Sequence, residues 1–131
     1  MLFRSVDCSP ANDIKGKQQL SGVLGEGTLI RIKDGTMILK PLFRDYLLKL
    51  AEENQIAYQY YISPGGTDGG EIHKENEGIP TAVIGVCARY IHSTDAVFDI
   101  RDYFSARHLL KESIIHLTSG QIQQLQYGKE F

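Results

Sequence analysis

Apolar positions recur along this chain with two different periods, and the changes of period mark out its elements. Leu2, Phe3 and Val6 supply the apolar side of a short strand expected over residues 2–7, closed by Asp7. Residues 8–27 then hold Pro10, Asn12, Asp13 and four glycines, which reads as a loop. It is longer than most connections in a compact domain. Leu29 and Arg31 alternate against Ile30 and Ile32 in a second strand over residues 28–33, and Asp34-Gly35 makes a turn. Pro41 suits the first position of a helix, where its missing N–H is not needed. Leu42, Tyr46 and Leu50, with Leu47 and Ala51, then follow at helical spacing, and Asn54 ends the helix. Ile56, Tyr58, Tyr60 and Ile62 alternate with Ala57, Gln59 and Tyr61 as a third strand, which runs into a loop at Ser63-Pro64-Gly65-Gly66.

Thr67 or Asp68 is placed to cap a short helical turn reaching to about residue 76. Residues 81–86, Thr-Ala-Val-Ile-Gly-Val, form a nearly unbroken apolar run, the pattern of a strand buried on both faces. Residues 89–93 form a loop after it. A last helix is expected over residues 100–117, with Asp99 as N-cap and Asp102 in the manner of a capping box, and Thr118-Ser119-Gly120 stops it. The Gln-rich tail 121–131 is weakly helical at best. This order of elements predicts an α/β domain with a mixed or mostly parallel sheet and helices on both faces. Strand order and direction stay open.

Composition narrows the function. The 131 residues are 42% hydrophobic and 23% charged, as in an ordinary single globular domain, with a net charge of −2. That balance argues against nucleic acid or an anionic membrane surface as the main partner. No apolar run approaches the roughly 18 residues that span a bilayer, and residues 1–7 lack the apolar stretch of a signal peptide. Cys8 and Cys87 are too few for a disulfide scaffold and are expected as reduced thiols of a cytoplasmic protein.

Two residues occupy positions where chemistry gathers. Asp7 is expected at the carboxyl end of the first strand and His92 just beyond the carboxyl end of the buried strand, where open α/β sheets collect their ligands. Carboxylate and imidazole suit a shared divalent metal, although a zinc-type site wants three or four protein donors. A surface Asp and a backbone-bonded loop His are the alternative. Gly65-Gly66-Thr67-Asp68-Gly69-Gly70 is the most unusual stretch: its glycines let backbone approach a bound group, and the N–H groups that follow can receive an anion. It is neither a P-loop nor a dinucleotide fingerprint, and an exposed flexible turn is the competing reading. His73, His108 and His116 read as structural.

Five blocks together resemble a known family: Val6-Asp7-Cys8-Ser9-Pro10-Ala11-Asn12-Asp13, Gly25-Glu26-Gly27, the stretch from Pro64 to His73, the stretch from Gly78 to Val86, and Arg89-Tyr90-Ile91-His92-Ser93. In this order and spacing they are similar to the carboxyl-terminal part of the glutamyl aminopeptidase family, also described as cellulase M or endoglucanase-like proteins. Asn12 stands where that family usually has glycine, and Gly69 where alanine is common.

The resemblance implies a partial metallo-aminopeptidase catalytic domain of phosphorylase/hydrolase-like fold, residues 1–131 being its carboxyl-terminal portion without the amino-terminal half or the inserted β domain. It implies cytosolic enzymes in which two divalent ions, Zn2+ or Co2+, activate the water that attacks a peptide bond. Asp7 matches a terminal ligand of one metal and His92 a terminal ligand of the other. Gly66, Thr67, Asp68 and Arg89 match residues of the substrate cleft. The family's remaining ligands and its general base lie upstream of the first block, so no catalytic base is expected here. This chain alone, as a truncated form or a shortened gene product, is expected to bind metal weakly or not at all and to be inactive. Peptides are the expected substrates of the whole enzyme and a homo-oligomer its expected state, with no nucleic-acid or membrane partner. The alternative is a non-catalytic binding or assembly module that keeps the fold. A carbohydrate-active enzyme fits poorly, because glycosidases pair two carboxylic acids with aromatic sugar platforms and tryptophan is absent.

Overall fold

The computed structural model describes residues 1–16 and 19–128. Residues 17 and 18 of the expected loop and 129–131 of the expected tail lie outside the described residues. The chain runs β1 (Phe3–Pro10), β2 (Thr28–Lys33), α1 (Pro41–Glu53), β3 (Tyr58–Ile62), α2 (Asp68–Lys74), β4 (Thr81–Arg89), β5 (Val97–Phe98), α3 (Ile100–Ile115) and α4 (Ser119–Tyr127).

The main sheet has the order β1-β4-β2-β3 and is mixed, as predicted. β1 and β4 are parallel from Phe3 opposite Thr81 to Pro10 opposite Ala88. β2 is antiparallel to β4, with Leu29 opposite Gly85, and parallel to β3. β5 adds an antiparallel pair at Ala88 and Arg89. Central β4 is buried at every residue from Thr81 to Ala88, which explains its period-free apolar run.

Alternation along the strands builds two unequal faces. On one, Ile30, Ala82, Ile84 and Val86 meet Phe43, Leu47 and Leu50 of α1, Ala106 and Leu109 of α3 and Leu125 of α4 in the main core. On the other, Leu29, Tyr61 and Cys87 form a small second cluster. Short α2 packs on this second face, where a Cβ on Gly69 would touch the side chains of Thr81 and Val83.

Several elements differ from expectation. β1 continues through Ser9-Pro10 because its register against β4 runs on to Ala88, so Asp7 is its fifth residue and not its end. β4 likewise includes Arg89, and β3 starts at Tyr58 with Tyr61 as its buried residue. The chain after β1 is anchored by a bridge between Ala11 and Gly22. Asp99 caps α3 as predicted, accepting the Arg101 N–H at 2.9 Å. Asp102 forms no capping box: it is fully buried and accepts the N–H groups of Gly25 and Gly27. Part of the expected weak tail is the well-formed helix α4, opened by a capping box between Thr118 and Gln121. Both cysteines are free thiols.

Candidate functional site

Asp7 points from β1 to the second face, and its side chain remains 45% exposed. Arg31 of β2 reaches it from across the intervening β4: Nη2 lies 3.4 Å from Asp7 Oδ2 and donates to Ser9 Oγ at 2.8 Å. The same guanidinium directs Nη1 to Asp34 Oδ2 at 3.3 Å, and its Cζ lies 5.8 Å from the centre of the Tyr61 ring. Arg31 is 4% exposed and the Asp34 side chain fully enclosed. A buried charge pair of this kind persists only where further hydrogen bonds satisfy it.

Asp34 supplies them. Its Oδ1 accepts the N–H and hydroxyl of Thr36, both at 2.7 Å, and the N–H of Met37 at 2.9 Å. Burial raises the pKa of this carboxyl, but the bonds from Thr36, Met37 and Arg31 outweigh it and hold the group below the usual carboxylate range. The expected Asp34-Gly35 turn is thus a charged anchor. It also reaches the glycine loop: Thr67 Oγ1 donates to Asp34 Oδ2 at 3.4 Å. Thr67 occupies the N-cap position of α2 but makes no side-chain cap bond. Thr36 fills the space that side chains on Gly66 and Gly70 would need. Those glycines are required by close packing at Asp34, which argues against a free turn.

The residues expected at the site therefore fall into two groups. Asp7, Gly66 and Thr67 share the second face and are joined through Arg31 and Asp34, with Asp68 following as the first residue of α2. His92 is exposed in the turn three residues beyond β4, in a left-handed conformation with φ 61°. Arg89, at the end of β4, donates from Nε to Asp13 Oδ1 at 2.8 Å. Among the described residues, no three His, Cys, Asp or Glu side chains converge as a metal-binding group. His73 bonds the Ile79 carbonyl oxygen, and His108 and His116 flank Glu112, as structural histidines would.

Arg31, Asp34, Thr36 and Ser9 complete this arrangement and were not singled out by sequence reasoning. The available signal was an arginine flanked by Ile30 and Ile32 within a strand, three residues before an aspartate. Burial pushes the Cys87 thiol up to about 12, making it an inert core residue. Along β1, bounded by α3, lies a mainly apolar groove of about 660 Å³ whose lining includes Val6, Cys8, Val86, Phe98, Tyr103 and Leu110, together with Asp7 and Arg107.

The sequence profile of the M42 glutamyl aminopeptidase family matches residues 2–109. A glutamyl aminopeptidase of Lactococcus lactis subsp. cremoris is 40% identical over 124 residues, covering 95% of this chain and 34% of that protein. Among solved structures, a TET aminopeptidase from the marine-sediment archaeon Thaumarchaeota archaeon SCGC AB-539-E09 superposes with a TM-score of 0.89 at 28% identity, over 95% of this chain and 35% of that one. An aminopeptidase from Desulfurococcus kamchatkensis gives 0.88 at 33% identity, over 95% and 37%. The chain thus spans about a third of the length of these relatives.

Proposed function

The chain belongs to the M42 glutamyl aminopeptidase family, and on that premise we propose that it is the carboxyl-terminal portion of a metallo-aminopeptidase catalytic domain, the whole enzyme removing amino-terminal residues from peptides. One observation carries the reading: Asp7 and the glycine loop, far apart in sequence, sit on one sheet face and are joined by Arg31 and Asp34. Asp7 and His92 are the proposed terminal metal ligands, and Gly66, Thr67, Asp68 and Arg89 line the proposed substrate cleft.

Two divalent ions, zinc or cobalt, would serve the whole enzyme as Lewis acids that polarise the peptide carbonyl. This chain's own donors do not complete such a centre. A half-exposed carboxylate and an exposed imidazole are apt ligands, but zinc-type sites want three or four, and among the described residues no three His, Cys, Asp or Glu side chains come together as a metal-binding group. No metal-dependent step is assigned to the chain alone, which is proposed to be inactive by itself. A homo-oligomeric whole enzyme is proposed as well, one structural neighbour being described as a dodecamer. The two free cysteines fit the reducing cytoplasm as its location.

Two experiments test this reading. Purified chain supplied with Zn2+ or Co2+ should not hydrolyse an N-terminal glutamyl anilide, and metal-dependent turnover would refute inactivity in isolation. A chimera carrying this chain in place of the matching segment of the Lactococcus lactis enzyme should hydrolyse that substrate. Asp7→Ala or His92→Ala should then reduce kcat/KM at least about a hundredfold. Undiminished activity in both variants rejects them as ligands.

The apolar groove along β1 favours a second reading, a non-catalytic binding or assembly module that keeps the peptidase fold. Partner binding that survives the double change Asp7→Ala, His92→Ala would mark that role.

A further inference from the structure

We propose that Arg31 is a positioning residue: its buried guanidinium holds the Asp7 carboxylate and, through Asp34, the Thr67 end of the glycine loop as one charged unit. The functional meaning of this unit rests on Asp7 and Thr67 being site residues, as proposed above.

The charges are arranged for such a role. Asp34 alone would neutralise Arg31 and satisfy a purely structural buried pair. The second carboxylate leaves the three groups with a net charge of −1, and only Asp7 is substantially exposed, so the surplus negative charge sits at the solvent-facing end. The two terminal nitrogens of Arg31 divide their contacts. Nη1 serves Asp34 while Nη2 serves Ser9 and Asp7, with the Tyr61 ring nearby. This uses the rigid planar fork of arginine, which a lysine ammonium cannot reproduce. Arg31 Nε is buried without a hydrogen-bond partner. A side chain placed for its own stability would be expected to satisfy that N–H. Its placement instead suits the bridge between two carboxylates.

The isolated chain, metal-free, permits a direct test by NMR. Three-bond couplings from Asp7 Cγ should show one staggered rotamer in the wild type and rotamer averaging in Arg31→Lys. Amide exchange over Gly66 to Gly70 should accelerate about tenfold in the same variant. Arg31→Lys with a fixed Asp7 rotamer and wild-type exchange overturns the proposal. Should Arg31→Lys fail to fold, Asp7→Ala removes one arm of the bridge at a half-exposed position. It should speed exchange in the glycine loop about threefold, and unchanged exchange overturns the coupling. The kcat/KM of the Asp7→Ala chimera described above judges the ligand assignment alone. The couplings and exchange rates decide the role of Arg31 whichever way that result falls.

Discussion

Arg89 Nε donates to Asp13 Oδ1 at 2.8 Å and so ties the last residue of β4 to the segment that leaves β1. Asp13 Oδ2 also accepts the Leu24 N–H at 3.0 Å, so one carboxylate fastens both limbs of the excursion between β1 and β2. The bond from Arg89 holds the Asp13 carboxyl below its ordinary pKa, with burial opposing it in part. A carboxyl depressed in the folded state stabilises the fold above its unfolded pKa, and this contribution is lost as pH falls through the folded value. Melting curves of the wild type and Asp13→Asn should therefore be separated by several degrees at pH 7. They should converge as pH drops below the 3.8 of an unperturbed aspartate. An equal separation at both pH values would assign the effect to packing.

Phe43 is completely buried in the main core, while its neighbour Leu42 is 40% exposed. Helical spacing placed Leu42 on the inner face, but α1 is rotated so that Phe43, Leu47, Leu50 and Ala51 point inward. Phe43→Ala should cost about 3–5 kcal/mol, against less than about 1 kcal/mol for Leu42→Ala, compared by urea denaturation. Equal losses would contradict this orientation.

Features set by neighbours in sequence were legible before the structure. The unbroken run at β4 announces a strand covered on both faces, Pro41 marks the start of α1, and Asp99 caps α3. Features set by partners distant in sequence were not. Asp102 has capping-box spacing from Asp99, yet its bonds go to Gly25 and Gly27, brought close only by folding. Thr118-Ser119-Gly120 reads as the stop of α3, yet α3 ends at Ile115 with His116 as its C-cap, and these three residues open α4 because Gln121 returns to cap it. Of the candidate site, Asp7 and the glycine loop could be proposed from the sequence, whereas Arg31 and Asp34 could not. Their link to Asp7 exists only because the strand order sets β4 between β1 and β2 on a shared face.

Thr118 accepts the Gln121 N–H at 3.2 Å, while the Gln121 side chain accepts the Thr118 N–H at 2.8 Å. Thr118→Ala should weaken α4 by about 1 kcal/mol. The expected signature is local: faster amide exchange at the start of α4, with the amides of β4 unchanged. Uniform acceleration throughout the sheet would show that α4 unfolds only with the whole domain.

Two glycines should respond in opposite directions to alanine. A Cβ on Gly70 would run into Thr36, whose hydroxyl and N–H are committed to Asp34. Gly70→Ala is therefore expected to cost about 1–3 kcal/mol. Gly120 lies in the first turn of α4, where a Cβ would meet no neighbouring atom within 4 Å, and Gly120→Ala should gain up to about 1 kcal/mol. Thermal melts of the two variants provide the comparison. A stabilised Gly70→Ala would refute the close approach of the glycine loop to Thr36.

Asp102 carries the clearest pH signature of the buried groups. Its two carboxylate oxygens accept the N–H groups of Gly25 and Gly27 at 2.8 Å, with the side chain fully buried. Burial raises its pKa above the ordinary value, and the two N–H bonds offset only part of that. The folded state therefore holds this proton more tightly than the unfolded state does. Stability from Asp102 is present at acid pH, declines as pH rises from the unfolded pKa through the raised folded one, and is level above it. Asparagine cannot reproduce both bonds, since its amide accepts through one atom and would turn an NH2 group towards the other glycine N–H. Asp102→Asn should cost about 2–3 kcal/mol and remove this titration. Urea midpoints measured from pH 4 to pH 7 should show the gap between wild type and variant narrowing as pH rises, and a gap that widens would reverse the assigned sign.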